Sequence, residues 1–595
     1  MKQIYDLRLF LFLSVVILLF TSCSDHDNNN ELLPGVTYTN WTEGAPLEMD
    51  KSNTLTIHFN AAAPWTASVA SGTDWCILSP TSGSKGQSSF TITANTEATT
   101  QRTAKIIIRI DGYQSTSLEV TQKPEGDREV NEKVDKYLSS MYLWNDEYKT
   151  LKLDYNKDYD AFFYDALGSM TTNTLDNKPY TGNDGKTYHS LFSYITKKNP
   201  ARSALSYPLQ EKEKEYSFGI IGMTVVIIDS YGHYAFCIQG VYPDSPASHA
   251  EIKRGTLISE INGNKITKDN YIDLYWDLLY PESPIALNIK ELTFTENLTD
   301  GMKEYTMTAE AIYKNPVIYQ DIIEKEGAKR IGYLVYTEFD AGYDDTLFEV
   351  FKNFKSRNIT DLILDLRYNG GGHVISSNFI ASCIAGSAYQ DAVFIKYRYN
   401  KERMQKQNNK KSEEKSVYSF YQNLNTSLSA CDLSLRRIYC LVGRATASAS
   451  ELLINTLLGI DIDVILIGEN TTGKNVGMEP EEISVDETTY EVYPITFQTY
   501  NAKDNGDYEN GFIPNILMNE NDINNDGYFD KYIEFGHPDE PLLSRAIQEI
   551  TGQASPRTRS AASKGFKSYA IETPHIFRPG YQSMIKSVYD TDIER

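Results

Sequence analysis

The sequence predicts a multidomain chain: an N-terminal all-β sandwich, a small helical module, a second β-rich domain and a C-terminal α/β core. Three observations predict it. The 595 residues allow roughly four domains at about 150 residues each. The hydrophobic pattern changes period along the chain, from alternation to helical spacing, back to alternation, then to strands interleaved with helices. A composition of 41% hydrophobic and 23% charged residues is that of soluble globular protein. It excludes a disordered, collagenous or polytopic membrane chain. The 57 Lys+Arg against 80 Asp+Glu leave a formal net charge of -23. That balance argues against nucleic acid as a partner, because phosphate binding needs basic patches. Aromatic residues at 12% favour sheet-rich domains.

The chain opens with Lys2 and Arg8 and an apolar run over 9–20 broken only by Ser14. The run is short for a membrane span and reads as a signal-peptide core over 1–22. The string FTSC ending at Cys23 resembles a bacterial lipobox, which implies lipidation of Cys23 and a polar tether over 23–45. An acidic stretch after the Cys resembles the surface-export signal of some Gram-negative lipoproteins. The expectation is an outer-membrane lipoprotein of the cell envelope, displayed on its surface and held to the membrane by lipid. A cleaved secretory signal and a plain anchor helix are the alternatives.

Residues 46–124 alternate apolar and polar positions in LTIHF (55–59), KIIIRI (105–110) and SLEVTQ (117–122), with turns marked by Pro80, Gly83 and Gly86. The string PWTASVASGTDWCILSPTSGSKG (64–86), closing on LEVTQKP (118–124), resembles the BACON-type β-sandwich, a family associated with carbohydrate or mucin binding. Trp65 and Trp75 either stack on sugar or fill the sandwich core.

Residues 125–205 change period. Val134, Tyr137, Leu138, Met141 and Leu143 follow near-helical spacing, and YDAFFYDALGSM (159–170) repeats the pattern. This module resembles the N-terminal domain of certain C-terminal processing peptidases. Residues 206–300 return to strands. SFGIIGMTVVI (217–227) and GVYPDSPASHAEIKRGTLISEINGNKI (240–266) together resemble a PDZ domain. The resemblance implies a peptide-binding loop at Phe218, Gly219, Ile220, Ile221 and Gly222. There a peptide adds as a strand and consecutive backbone N–H groups hold its carboxylate.

Residues 301–555 alternate strands (331–335, 362–366, 439–442, 464–468) with helices (345–354 and from near Ser450), an α/β pattern. Residues 556–595 are Ser-, Thr- and Arg-rich, carry Pro556, Pro574 and Pro579, and read as a poorly ordered tail.

Within the core, DLILDLRYNGGG (361–372), GRATASASELL (443–453) and GENTTGKNVG (468–477) resemble the signature segments of the C-terminal processing, or tail-specific, serine peptidases. That family uses a Ser/Lys dyad. By motif, the resemblance implies Ser448 as nucleophile and Lys474 as base. A Ser hydroxyl needs an adjacent base, and a Lys serves only when neutral. Its reference pKa of about 10.4 lies roughly 3 units above a useful value. Ile465, Leu466, Ile467 and Val476 supply apolar neighbours for such a shift. The N–H of Ala449 at a helix start and that of Gly371 in the glycine turn are the expected oxyanion donors. Read singly, Ser448 to Glu451 is an S-x-x-E capping box, NGGG is a turn and Lys474 a surface charge. The three in order carry the reading.

The family often has a Gln four residues after the Lys; here that residue is Met478, and Gln498 and Glu491 are candidates to replace it. His373 offers a Ser/His arrangement or a rim residue. Asp522, Asn524, Asp526 and Gly527 follow calcium-loop spacing over 522–533, but position 12 is Ile533, and a plain turn is the alternative. Beyond Cys23, the five cysteines show no metal spacing and read as buried hydrophobes, with a Cys431–Cys440 bridge open. The expected protein is a lipid-anchored serine endopeptidase acting on protein or peptide substrates, with no metal or organic cofactor. A catalytically weak peptide-binding protein and a glycan-binding surface protein are the alternatives.

Overall fold

The computed structural model describes residues 34–49, 54–95, 102–122, 127–181, 187–198, 212, 214–227, 233–281, 283–293, 299–410, 412–415, 428–485, 487–522, 528–553, 566–567 and 570–572. Cys23, the signal segment and residues 523–527 of the calcium-like loop lie outside them. Among the described residues no helix is long and apolar enough to cross a membrane. The chain divides into two compact units, at residues 1–125 and 126–595.

The first unit is a sandwich. One sheet runs in the order Val36–Tyr38, Thr54–Ala61, Gly86–Ala94, Cys76–Ser79. The other runs Leu47–Glu48, Thr116–Gln122, Arg102–Ile110, Trp65–Ser71, Ser82–Gly83. Alternate residues of each strand turn inward, as the period of two requires. Ile57, Phe59, Phe90, Ile106 and Val120 form the core, with Trp65 and Trp75 among them. The two tryptophans are 3% and 2% exposed. Trp65 donates its indole N–H to Ser88 Oγ at 3.0 Å, and Arg102 lies over Trp75 at 4.7 Å. The sugar-stacking role open to them in the sequence is corrected: burial leaves neither ring a face to offer.

The second unit is built on a six-stranded sheet in the order Val317–Lys325, Lys329–Tyr336, Asp361–Asp365, Arg437–Val442, Asp463–Gly468, Ile516–Leu517. Only the first pair is antiparallel. Its four inner strands are largely apolar on both faces because both faces are covered. Leu334, Tyr336, Leu362 and Leu364 pack under helices Asp344–Ser356, Val374–Ala385 and Ala449–Gly459. Ile331, Tyr333, Ile363 and Leu441 pack against Pro541–Thr551.

The helical module does not close on itself. Helices Arg128–Met141 and Tyr159–Gly168 share one core with Val476, Ile483, Tyr490 and Val492, residues that follow Lys474 in the chain. Strand Tyr194–Lys197 pairs with Thr488–Tyr493. The β module that follows has a sheet containing Ile220–Ile227, Tyr234–Val241, Leu257–Ile261, Ala286–Thr293 and Thr299–Thr308, with helix Tyr271–Leu279 packed on it. The domain boundary expected at 300 falls inside its last strand and belongs after Thr308.

The segment after 556 includes two short strands: Phe566–Lys567 pairs with Tyr528–Phe529, and Ala570–Glu572 pairs with Ile220–Ile227. The Cys431–Cys440 bridge does not form. Cys440 sits inside the central sheet, and Cys431 faces Cys383 at 3.4 Å; all five described cysteines are free and buried.

Candidate active site

Parallel strands deliver the loops at their carboxyl ends to one side of the sheet. Asp361–Asp365 leads into the glycine turn, its neighbour Arg437–Val442 into Ser448, and the next, Asp463–Gly468, into Lys474. The three strings that lie apart in sequence therefore meet because their strands are adjacent.

Glu451 binds two of them together. Its carboxylate, 0% exposed, accepts from the Ser448 N–H (3.1 Å) and the Lys474 N–H (2.7 Å) on Oε2. On Oε1 it accepts from Thr471 Oγ1 (2.5 Å) and the Gly473 N–H (2.6 Å). Burial pushes this carboxyl above the ordinary range, while the four donors pull it back down. The sequence read Glu451 as half of a capping box. It fills that part at the Ser448 N–H and also fixes the lysine loop.

Asn369 fastens the third string. Its carbonyl accepts from the Ala447 N–H and the Ser450 hydroxyl, both at 3.1 Å, and its Nδ2 donates to the Tyr336 carbonyl at 3.0 Å. Gly371 has φ +107°, and a Cβ there would stand 2.7 Å from Ser448 Cβ and 3.0 Å from Ala449 N. Only a glycine meets both demands. Ala449 opens its helix, so its N–H lacks an intrahelical partner. The Gly371 N–H donates to Asn369 Oδ1 at 2.9 Å, so serving an oxyanion requires that bond to yield. Ser448 itself has φ +56°, ψ −114°, a backbone strain of the kind that clusters at functional sites.

Lys474 Nζ lies 4.0 Å from Met478 Sδ and 5.1 Å from the Phe192 ring centroid. The position four residues on thus does face the ammonium group, but with a weak thioether acceptor. Gln498 turns its Oε1 to the Tyr500 hydroxyl (2.9 Å) and Arg398 (3.4 Å), and Glu491 lies in strand opposite Thr196 and Glu482. His373 is engaged by backbone, with Nδ1 3.2 Å from the Ala341 N and 3.1 Å from the Phe339 carbonyl.

Sequence reasoning missed three residues of the helical module. Asp176, fully buried, accepts from Tyr142 Oη (2.7 Å) and from the Ser193 N–H (2.7 Å) and hydroxyl (2.6 Å). Burial raises its carboxyl; Ser193, Tyr142 and the charge of Lys474 act in the opposite direction. Lys178 donates to the Gly473 carbonyl at 2.6 Å and to the Glu509 carbonyl, and burial lowers its ammonium from the usual range. Phe192 lies under both lysines. The stretch 171–181 reads as a polar turn and carries no motif, so nothing local marks it.

In the β module, Phe218 is 0% and Ile220 3% exposed, both in the module core. The side chains of this pair therefore hold the loop rather than a ligand. Gly219 has φ +87°, and a Cβ there would fall 2.1 Å from Ser245. Its N–H donates to Ser217 Oγ at 2.9 Å. Ile221 and Gly222 continue into the strand, with a bulge at Gly222. A buried cluster joins this module to the glycine turn: Arg254 donates to Tyr368 Oη (2.7 Å) and Glu520 (2.7 Å), and Arg367 to Glu520 and Glu540 (both 2.6 Å).

Comparison with known proteins agrees with this architecture. Residues 330–518 match the family model Peptidase family S41, 129–194 the Peptidase S41 N-terminal domain, and 65–123 the BACON domain. A carboxyl-terminal-processing protease of Picosynechococcus is 28% identical over 185 residues, 31% of this chain and 38% of that protein. A Bacteroides fragilis structure described as an S41 protease superposes with TM-score 0.55 at 24% identity, covering 70% of this chain and 97% of that one. It shares the fold.

Proposed function

From the premise that the chain carries S41 peptidase and BACON domains, we propose that it is a serine endopeptidase with a Ser448/Lys474 dyad, anchored in the cell envelope by lipid on Cys23. The carrying observation is the single carboxylate of Glu451, which holds the backbone of Ser448 and of Lys474 at once. Ser448 Oγ attacks the scissile carbonyl and passes its proton to neutral Lys474. The oxyanion is held by the Ala449 N–H and a glycine-turn N–H, each such donor being worth about 3–4 kcal/mol. Lys474 then protonates the leaving amine, and water, deprotonated by the same lysine, releases the acyl group. The β module, read as a PDZ domain, captures an extended peptide segment by strand addition along Ile220–Ile227.

Met478 beside Lys474 favours a second reading, a peptide-binding protein with weak catalysis, because a thioether orients an amine poorly. One experiment separates the two. The protein is incubated with an unfolded test protein, and Ser448→Ala and Lys474→Ala are compared with wild type. Wild-type cleavage, lost in both variants, with an acyl adduct on Ser448 by mass spectrometry, is expected. Cleavage that survives Ser448→Ala sinks the dyad; peptide binding without cleavage in the wild type selects the second reading.

A further inference from the structure

A strand that captures peptides by augmentation needs one free edge, and exposed edges are templates for any extended segment. One edge of Ile220–Ile227 is taken by Tyr234–Val241. On the other lies the chain's own Ala570–Glu572, antiparallel, with Ala570 opposite Ile227, Ile571 opposite Val226 and Glu572 opposite Val225. The polarity matters. From Ala570 to Glu572 the chain runs toward the Phe218–Gly219 loop, the direction in which a bound peptide must run to bring its carboxylate there.

The strand is delivered to that edge. Phe529 and Tyr532 are buried against Val226, Ala235, Cys237, Leu257 and Leu292 of the module's sheet. Tyr532 Oη stands 2.6 Å from Thr224 Oγ1. Tyr528–Phe529 pairs with Phe566–Lys567, so residues 568 and 569 alone separate a docked anchor from the paired strand. Tethering this close turns a short, weak pairing into an intramolecular one with high effective concentration.

We infer that residues 570–572 are a built-in occupant of the peptide-capture edge, which an incoming segment must displace before the module can hold it. The inference rests on the capture reading of this strand. A tail that occupies the edge about 90% of the time weakens apparent peptide affinity about tenfold.

The test uses the full chain carrying Ser448→Ala, so that binding is read without hydrolysis. Glu572→Pro removes the backbone N–H that faces Val225 in the pairing, and Glu572→Gln keeps it. The probe is a fluorescein-labelled hexapeptide with an apolar, free C-terminus, followed by anisotropy. Amide exchange at Val225 and Ile227, whose N–H groups face the tail strand, is measured in parallel. About tenfold tighter binding with Glu572→Pro but not Glu572→Gln, with faster exchange at those amides, is expected. Equal affinity in all three proteins overturns the inference. Faster exchange without peptide binding in any of them shows that the tail pairs there but that the edge captures no such peptide. That outcome overturns the capture reading, and competition along with it. No change in either measurement overturns the pairing itself.

Discussion

At the scale of single residues, the site depends on a buried carboxylate that does no chemistry of its own. Glu451 satisfies three backbone N–H groups and one hydroxyl. In Glu451→Gln one acceptor oxygen becomes a donor and faces N–H groups. A buried donor left unpaired costs about 1–3 kcal/mol, so the variant should lose at least about 2 kcal/mol by urea unfolding. Its hydrolysis should fall in kcat more than in KM. A variant of unchanged stability and rate would remove Glu451 from its positioning role. Glu451 was visible in the sequence only as a capping residue, because a motif reports local contacts and half of its donors lie more than twenty positions away. Gly371 was legible for a different reason. Three glycines in a row after an apolar strand mark a backbone approach that side chains would block, and the packing of Gly371 against Ser448 is that approach.

At the scale of elements, the loop that enters the lysine pocket from the helical module is fixed by helix Asn145–Tyr148. Glu147 accepts from the N–H and hydroxyl groups of Thr171 and Thr172, at 2.5–2.9 Å. Partial burial opposes ionisation, but these four donors outweigh it and bring the carboxyl to about 2 from 4.5. A depressed carboxyl contributes stability that is present above its unfolded value and is lost as pH falls through its folded one. The window is therefore about pH 4.5 down to about 2. Solvent screens this group, so the contribution is roughly 1 kcal/mol or less. Glu147→Gln should lower stability near neutrality by that amount and flatten the acid limb in this window. A parallel downward shift with no change of slope would contradict the assignment. None of this was readable from residues 171–181, whose polar composition fits an unattached turn equally well.

At the scale of the whole molecule, the two compact units carry separate cores, one around Phe59 and Phe90 and one around Phe351 and Phe354. Calorimetry should resolve two transitions. Phe59→Ala, at about 3–5 kcal/mol, should lower only one of them and Phe354→Ala only the other. A single transition moved by both variants would mean that the units unfold as one. With both tryptophans inside the first core, any binding by the sandwich must use other residues.

The sequence by itself determined the domain order, the α/β class of the core and the three strings that nominate Ser448, Lys474 and the glycine turn. These are properties of local period, turn chemistry and short motifs, each expressed within about a dozen residues. Only the tertiary structure decided which groups surround the lysine. Met478, Phe192, Asp176 and Lys178 come from both sides of a shared core, and Gln498 turns its amide oxygen to Tyr500 and Arg398. It also decided that the tail strand lies on the edge of Ile220–Ile227. The physical reason is the same in each case. Burial and strand pairing join residues hundreds of positions apart, and no local pattern in the chain encodes which distant partner will satisfy a given donor or edge.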